Sequence, residues 1–213
     1  MEPCRGLPKD AQRNRDLLVA AARRLFAEKG LDVPLEEVAR SAGVSIGTLY
    51  NRFPDRAELV GAVFADRVEA TRLLAEEALA RPRAWDGLVH FLEGVCALQA
   101  ADRGYNDLAA GRGPRSPATE RALADGYALM RRIVERARES GDLRPDLVLE
   151  DMVFVVWGHA RTVEATAGIA PELWRRHLAL LLDAFRAPAA HPLPVPPLTP
   201  EQARAALSSR CTP

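Results

Sequence analysis

The residues best equipped for chemistry are Ser45, Gly47, Thr48, Tyr50, Asn51, Arg52 and Arg56, which crowd one short stretch together with Ile46. The hydroxyls of Thr48 and Tyr50 suit phosphate oxygens, Asn51 can donate and accept, and Arg52 can neutralise a phosphate or read guanine. Gly47 leaves room for close approach to base edges. Arg56 follows in the first turn of the next helix, with Asp55 as its N-cap. Such a set of groups suits contact with a nucleic-acid duplex better than the making or breaking of bonds.

The elements that must position these residues can be read on either side of them. Pro34 to about Ala42 reads as a short helix. Proline suits its first position because the missing N–H has no intrahelical partner there. Glu36 and Glu37 favour the positive end of the dipole. Leu35, Val38, Ala39 and Ala42 line one apolar face. Gly43 takes a left-handed turn, Val44 plugs the corner, and Ser45 caps a second short helix. Leu49 and Phe53, four apart, turn inward and leave the polar residues outside. A helix over about 10–29 precedes the pair, with Leu17, Leu18, Ala21, Leu25 and Phe26 as its core stripe and Gly30 as its stop. Together these form a helix-turn-helix, whose second helix enters the major groove.

The stretch resembles the TetR family of bacterial transcriptional regulators. The likeness rests on Phe26 and Gly30, Leu35-Glu36-Glu37-Val38-Ala39 and Ala42-Gly43-Val44-Ser45. It continues through Gly47-Thr48-Leu49-Tyr50, Phe53-Pro54 and Arg56 to Leu59. It covers roughly residues 10–60; beyond them only length and helix rhythm are similar. The resemblance implies that Ser45, Ile46, Gly47 and Tyr50 lie near bases, and that Thr48, Tyr50, Asn51, Arg52 and Arg56 lie on or near phosphates. Val33-Pro34 stands where the family commonly has threonines, and Ile46 where it often has lysine, which favours contact with thymine methyl groups. The resemblance also implies a homodimer on a palindromic double-stranded DNA operator, most often as a repressor, answering to a small-molecule effector not identified by the sequence. An all-helical binding protein or enzyme, with the motif kept only for packing, is the alternative.

Composition sets bounds. The 213 residues carry 29 basic and 29 acidic side chains, so no chain-wide basic signature exists and DNA affinity must come from local charge. Lys9, Arg13 and Arg15 before the motif, and Arg40, Arg52 and Arg56 around it, supply that charge. No apolar run is long enough for a membrane span, and the N-terminus lacks an apolar signal segment; a cytoplasmic location is expected. Cys4, Cys96 and Cys211 suggest neither a disulfide framework nor a zinc site. His90, His159, His177 and His191 show no metal-ligand spacing, and no nucleophile elbow or phosphate loop occurs. No metal, cofactor or enzymatic activity is expected.

The expected fold class is all-α: a flexible arm over 1–9, a DNA-binding head over 10–55, a ligand-binding and dimerisation domain over 56–187, and a Pro-rich, disordered tail over 188–213. Helices are predicted at about 55–80, 84–102, 105–110, 118–140, 146–167 and from Pro171 onward. Helix position marks Phe64, Val68, Phe91, Val95, Gln99, Tyr105, Tyr127, Met130, Trp157 and His159 as pocket candidates, aromatic walls with a few polar groups. The last two helices are apolar nearly all round. That favours a four-helix contact with a second copy through Trp157, Ala160, Arg161, Trp174, His177, Leu178, Leu181 and Phe185. Thr199 and Gln202, three apart, have the spacing of a capping box.

Overall fold

The structure, a computed structural model, describes residues 8–208, the side chains at 8, 9, 153, 189, 204, 207 and 208 excepted. Residues 1–7 of the expected arm, the Lys9 side chain, Cys4 and Cys211 therefore lie outside what is described, while the backbone at 8 and 9, expected in the arm, already belongs to the first helix. The fold is all-α, an N-terminal helix cluster followed by a helical bundle. The helices are α1 (Pro8–Lys29), α2 (Leu35–Ser41), α3 (Ile46–Arg52), α4 (Arg56–Ala80), α5 (Ala84–Ala101), α6 (Arg103–Ala109), α7 (Pro117–Glu139), α8 (Leu149–Thr166), α9 (Leu173–Phe185) and α10 (Pro200–Ser208).

Local chemistry sets most of these ends. Asp55, Asp102 and Ser116 accept from the backbone N–H groups of Glu58, Tyr105 and Thr119, capping α4, α6 and α7. Asp151 accepts from the Val148 N–H at 3.0 Å and so caps α8 from within its first turn. Arg136 closes the C-terminus of α4: it donates to the carbonyls of Leu79 at 3.0 Å and Pro82 at 3.0 Å, among others. Those carbonyls have no intrahelical donors.

Two hydrophobic cores result. The first joins Leu18, Phe26, Val38, Leu49 and Phe53 to Leu59, Val63 and Phe64 of α4 and to Tyr105 and Leu108 of α6. The second holds α5, α7, α8 and α9 around Trp85, Phe91, Met130, Met152 and Trp174, with Ala75 and Ala78 from the far half of α4. The 25-residue α4 thus runs through both. The head's core does not stop at residue 55.

Helix α6 is wedged where the two cores meet. A Cβ on Gly104 would lie 2.7 Å from the Phe64 ring and 3.1 Å from Phe26 Cβ, so only glycine permits this approach to α1. Arg103 donates to the Glu28 carbonyl at 3.3 Å, Tyr105 and Thr71 share a 2.7 Å hydroxyl–hydroxyl bond, and Asp102 pairs with Arg67 at 3.7 Å. Asn106 donates to the Ala160 carbonyl of α8 at 3.3 Å. One short helix therefore touches α1, α4 and α8.

After α9 the chain is pinned. Leu143 and Arg186 form an isolated antiparallel bridge, and the Arg186 guanidinium stacks 3.9 Å over the Trp85 ring. Arg144, bidentate on Asp146, also donates to the His191 carbonyl at 2.7 Å. The Pro-rich segment then crosses α8, walling with Phe154 a cavity of about 740 Å³. Thr199 and Gln202 cap α10 reciprocally at 2.9 and 3.2 Å, within a tail whose composition favours an unstructured linker.

Candidate nucleic-acid interface

The turn between α2 and α3 is built by Gly43. Its φ of +69° lies in the left-handed region. The Val44 N–H reaches back to the Ala39 carbonyl at 3.1 Å and the Gly43 N–H to Arg40 at 3.1 Å, the paired bonds of a Schellman ending. Ser45 then starts α3: its Oγ accepts from the Thr48 N–H at 3.1 Å and lies 2.9 Å from the Thr48 hydroxyl. Leu49 and Phe53 are buried against α1 and α2. The helix-turn-helix read from the sequence is present, with two differences: Pro34 precedes α2 as its N-cap instead of opening it, and Leu17, expected in the core stripe of α1, is 41% exposed.

The helix is held rigidly from behind. Arg56 donates through Nη1 to the carbonyls of Leu31 at 2.8 Å and Val33 at 2.7 Å, clamping the segment that leads into α2. Sequence reasoning gave this residue a phosphate; its position in the protomer is structural, and the signal for it lies in tertiary placement alone. Lys29 bonds Glu37 at 2.5 Å, Arg24 reaches Ser41 at 3.2 Å, and Arg15 stacks 5.1 Å from the Phe53 ring centroid.

What remains faces outward. Ser45, Ile46, Gly47, Tyr50 and Asn51 are exposed, and Thr48 and Arg52 half-buried. Tyr50 shows 48% of its surface and Ile46 36%, unusual for large apolar side chains on a helix whose other face is core. A Cβ on Gly47 would meet only Ser45 Oγ, at 3.8 Å. The protomer does not need glycine there; a body approaching from outside would. Arg13 and Arg40 are exposed around the motif.

The pocket candidates do not gather in one place. Phe64 and Tyr105 belong to the first core, their rings 6.3 Å apart, while Phe91, Val95 and Met130 belong to the second. Val68 lines a groove of about 310 Å³ between α4 and α7, walled also by Gly61, Ser116 and Thr119. Tyr127 is 37% exposed and Trp157 half-buried. Gln99 and His159 are wholly buried at the junction of α5, α6 and α8. Gln99 Nε2 donates to Asn106 Oδ1 at 3.2 Å, and His159 bonds the Cys96 carbonyl at 3.0 Å. Burial holds His159 below the ordinary imidazole range, against the opposing pull of that carbonyl; His177 adds to the lowering. Asn106, 2% exposed, is the polar residue sequence reasoning missed. A lone amide in a helix of about two turns carries no periodic signal.

The interface candidates divide. Ala160, Trp174 and Leu178 lie inside the protomer, because α9 packs its Trp174–Leu178–Leu182 stripe onto α5 and α8. Trp174 meets the His159 ring edge-on at 5.5 Å. Arg161 is exposed and bonded to Glu164 at 2.6 Å. His177, Leu181 and Phe185 line a groove of about 350 Å³ between α8 and α9, over which Leu193 lies. The exposed apolar residues here are others: Phe154 at 48% and Leu180 at 58%.

Cys96 is buried and free, and burial, reinforced by Glu93, pushes its thiol up to about 12. Because only the thiolate attacks electrophiles, Cys96 is expected to resist iodoacetamide at pH 8 in the native protein and to react in denaturant, as peptide mapping would read. Rapid native alkylation would contradict this burial. Among the described residues no group of His, Cys, Asp and Glu can hold a metal, and no helix is long and apolar enough to cross a membrane.

Comparison with known proteins agrees with this architecture. Residues 18–63 match the family described as "Bacterial regulatory proteins, tetR family", and residues 83–187 match "Transcriptional regulator SbtR-like, C-terminal domain". The HTH-type transcriptional regulator SrpR of Pseudomonas putida is 32% identical over 81 residues, 38% of this chain and 38% of SrpR. The match thus spans well under half of that relative's length. The TetR transcriptional regulator SCO0520 of Streptomyces coelicolor superposes with a TM-score of 0.50 at 28% identity, over 81% of this chain and 98% of the other. FadR of Bacillus subtilis, solved in complex with stearoyl-CoA, shares the fold, with a TM-score of 0.60 at 18% identity over 83% and 99% of the two chains. With the helix-turn-helix matched at one end and the helical body at the other, the chain belongs to the TetR family of transcriptional regulators.

Proposed function

We propose that this protein is a homodimeric, ligand-responsive repressor that binds a palindromic operator through α3. The observation that carries the reading is the outer face of α3: Ile46, Gly47, Tyr50 and Asn51 are presented to solvent on a helix fixed from behind by Leu49, Phe53 and the Arg56 clamp. Each protomer places α3 in one major-groove half-site, with the half-sites about 34 Å apart. Arg52 and the surface arginines Arg13 and Arg40 supply phosphate contacts.

Dimerisation uses the outer surfaces of α8 and α9. Phe154, Arg161 and Leu180 are its centre, with Trp157, His177, Leu181 and Phe185 beside them. The α4–α6 junction is suited to carry a signal, since α6 is bonded to α1, α4 and α8 at once. A small molecule bound in the body shifts α6 and the tilt of α4, and so the spacing of the heads. Moving the population from mostly bound to mostly free requires the effector to prefer the released form by about 10⁴-fold. FadR, with its acyl-CoA, is a precedent for this fold holding a small molecule.

Selection of bound fragments from genomic DNA, followed by footprinting, tests the proposal. The expected result is a protected palindrome and a dimer on it. Affinity is expected to fall about 10³–10⁵-fold between about 50 and 200 mM salt if about six to ten phosphates are neutralised, because each contact releases counterions. A salt-insensitive complex, or no selected sequence, would sink it.

A further inference from the structure

The junction of α5, α6 and α8 holds two hydrogen-bond acceptors that the protein leaves bare. Their character follows from the chain of bonds around them. The Ala160 carbonyl can only accept, so Asn106 must offer it Nδ2, which turns Asn106 Oδ1 toward Gln99. Gln99 must then present Nε2 to that oxygen, and its Oε1 is the free end. The Cys96 carbonyl likewise can only accept, so His159 Nε2 carries the proton. With the ring neutral, Nδ1 is an unprotonated acceptor. Among the described residues neither Gln99 Oε1 nor His159 Nδ1 has a partner, on side chains 0% and 1% exposed. Cys96 and Gln99 are one turn apart on α5, and His159 and Ala160 are neighbours on α8, so both orphans belong to one junction. Leaving such atoms unpaired in a sealed interior is costly.

Resting on the reading of the body as an effector domain, we infer that the effector is a compact, neutral, largely apolar molecule carrying two O–H or N–H donors, taken up by Gln99 Oε1 and His159 Nδ1. The surroundings fit that class. The Trp174 ring stands perpendicular to the His159 ring, and Phe91, Leu92, Val95 and Met130 are buried in the same core. Neither acceptor can pair with a carboxylate or phosphate oxygen, which itself only accepts. Since both atoms are buried, a ligand reaches them only by parting α8 from α5. That displaces Asn106, and with it α6, whose Arg103 and Gly104 are seated on α1.

The test is calorimetric titration of the full chain at pH 7.5 with the three benzenediols, their dimethoxy counterparts and benzoate. The expected result is that at least one benzenediol binds tenfold or more tightly than its dimethoxy counterpart, with no binding of benzoate. Gln99→Met, which keeps the volume and removes the acceptor, is expected to cost that diol about tenfold. If the variant fails to fold, the diol-to-dimethoxy ratio of the unaltered protein still decides. Equal affinities, tighter benzoate, or no diol binding overturns the inference. Gel shift on the selected operator separates this from the regulator reading: release by an anionic compound alone would leave the regulator standing and discard the donor-bearing effector, whereas absence of operator binding would discard the regulator whatever the calorimeter reads.

Discussion

Tyr50→Ala is expected to lower operator affinity by about 5- to 150-fold, the loss of about 1–3 kcal/mol of contact at a base edge and its phosphate, and to leave the fold untouched. The ring is 48% exposed and, among the described residues, takes part in no ring stacking and no side-chain hydrogen bond. Truncating it therefore removes little from the protomer, and exposed changes of this kind stay within about 0.5 kcal/mol. Gly47→Ala sharpens the comparison. Its new methyl meets only Ser45 Oγ, 3.8 Å away, so the protomer accommodates it without strain. Against a groove seated on α3 the same methyl occupies the closest point of approach. Tyr50→Ala should keep the wild-type thermal midpoint by scanning fluorimetry, Gly47→Ala should keep or slightly raise it because alanine is the better helix former, and both should lose affinity by titration at fixed salt. Undiminished affinity in Tyr50→Ala would mean that α3 does not enter the groove; a lowered midpoint in either would mean that this face is part of the core.

The head was legible because its signals are local. Glycine at a left-handed turn, serine at a cap, and Leu35, Val38, Leu49 and Phe53 at helical spacing each act within a few residues. The body was legible only as helices. Periodicity says which face of a helix is apolar, not which neighbour covers it. The pattern therefore points Trp174 and Leu178 at a second copy of the chain, although α5 and α8 of the same protomer cover them. It likewise points Phe64 and Tyr105 at a pocket, although they complete the core beneath the helix-turn-helix. Arg56 shows the same limit for charge. A guanidinium beside a helix-turn-helix suggests a phosphate, and only the folded chain brings the Leu31 and Val33 carbonyls to it. The junction of Gln99, Asn106 and His159 joins positions up to 60 residues apart, and nothing in a linear pattern brings them together.

The largest effect on stability is expected from Gly87→Ala. Helices α4 and α5 are neighbours joined by the tight turn after Ala80, and at Gly87 α5 lies directly against the α4 backbone. A Cβ there would overlap the Ala78 carbonyl oxygen and lie 3.2 Å from its carbon. That atom is backbone, inside a helix end that Arg136 has already clamped through the Leu79 and Pro82 carbonyls, so it cannot swing aside like a side chain. The helices must separate along a contact that buries Ala75, Ala78, Trp85 and Leu88. Overpacking of this kind costs about 1–3 kcal/mol or more, and in a chain of this length each kcal/mol lowers the melting temperature by about 2–4 °C. Gly126→Ala is the control. It makes the same chemical change in the middle of α7, where a Cβ would meet nothing within 4 Å. There alanine should gain about 0.5–1 kcal/mol from helix propensity alone. One methyl is thus expected to melt the protein earlier at position 87 and later at position 126. Calorimetric scans showing the same sign at both would mean that α4 and α5 are not packed as closely as described.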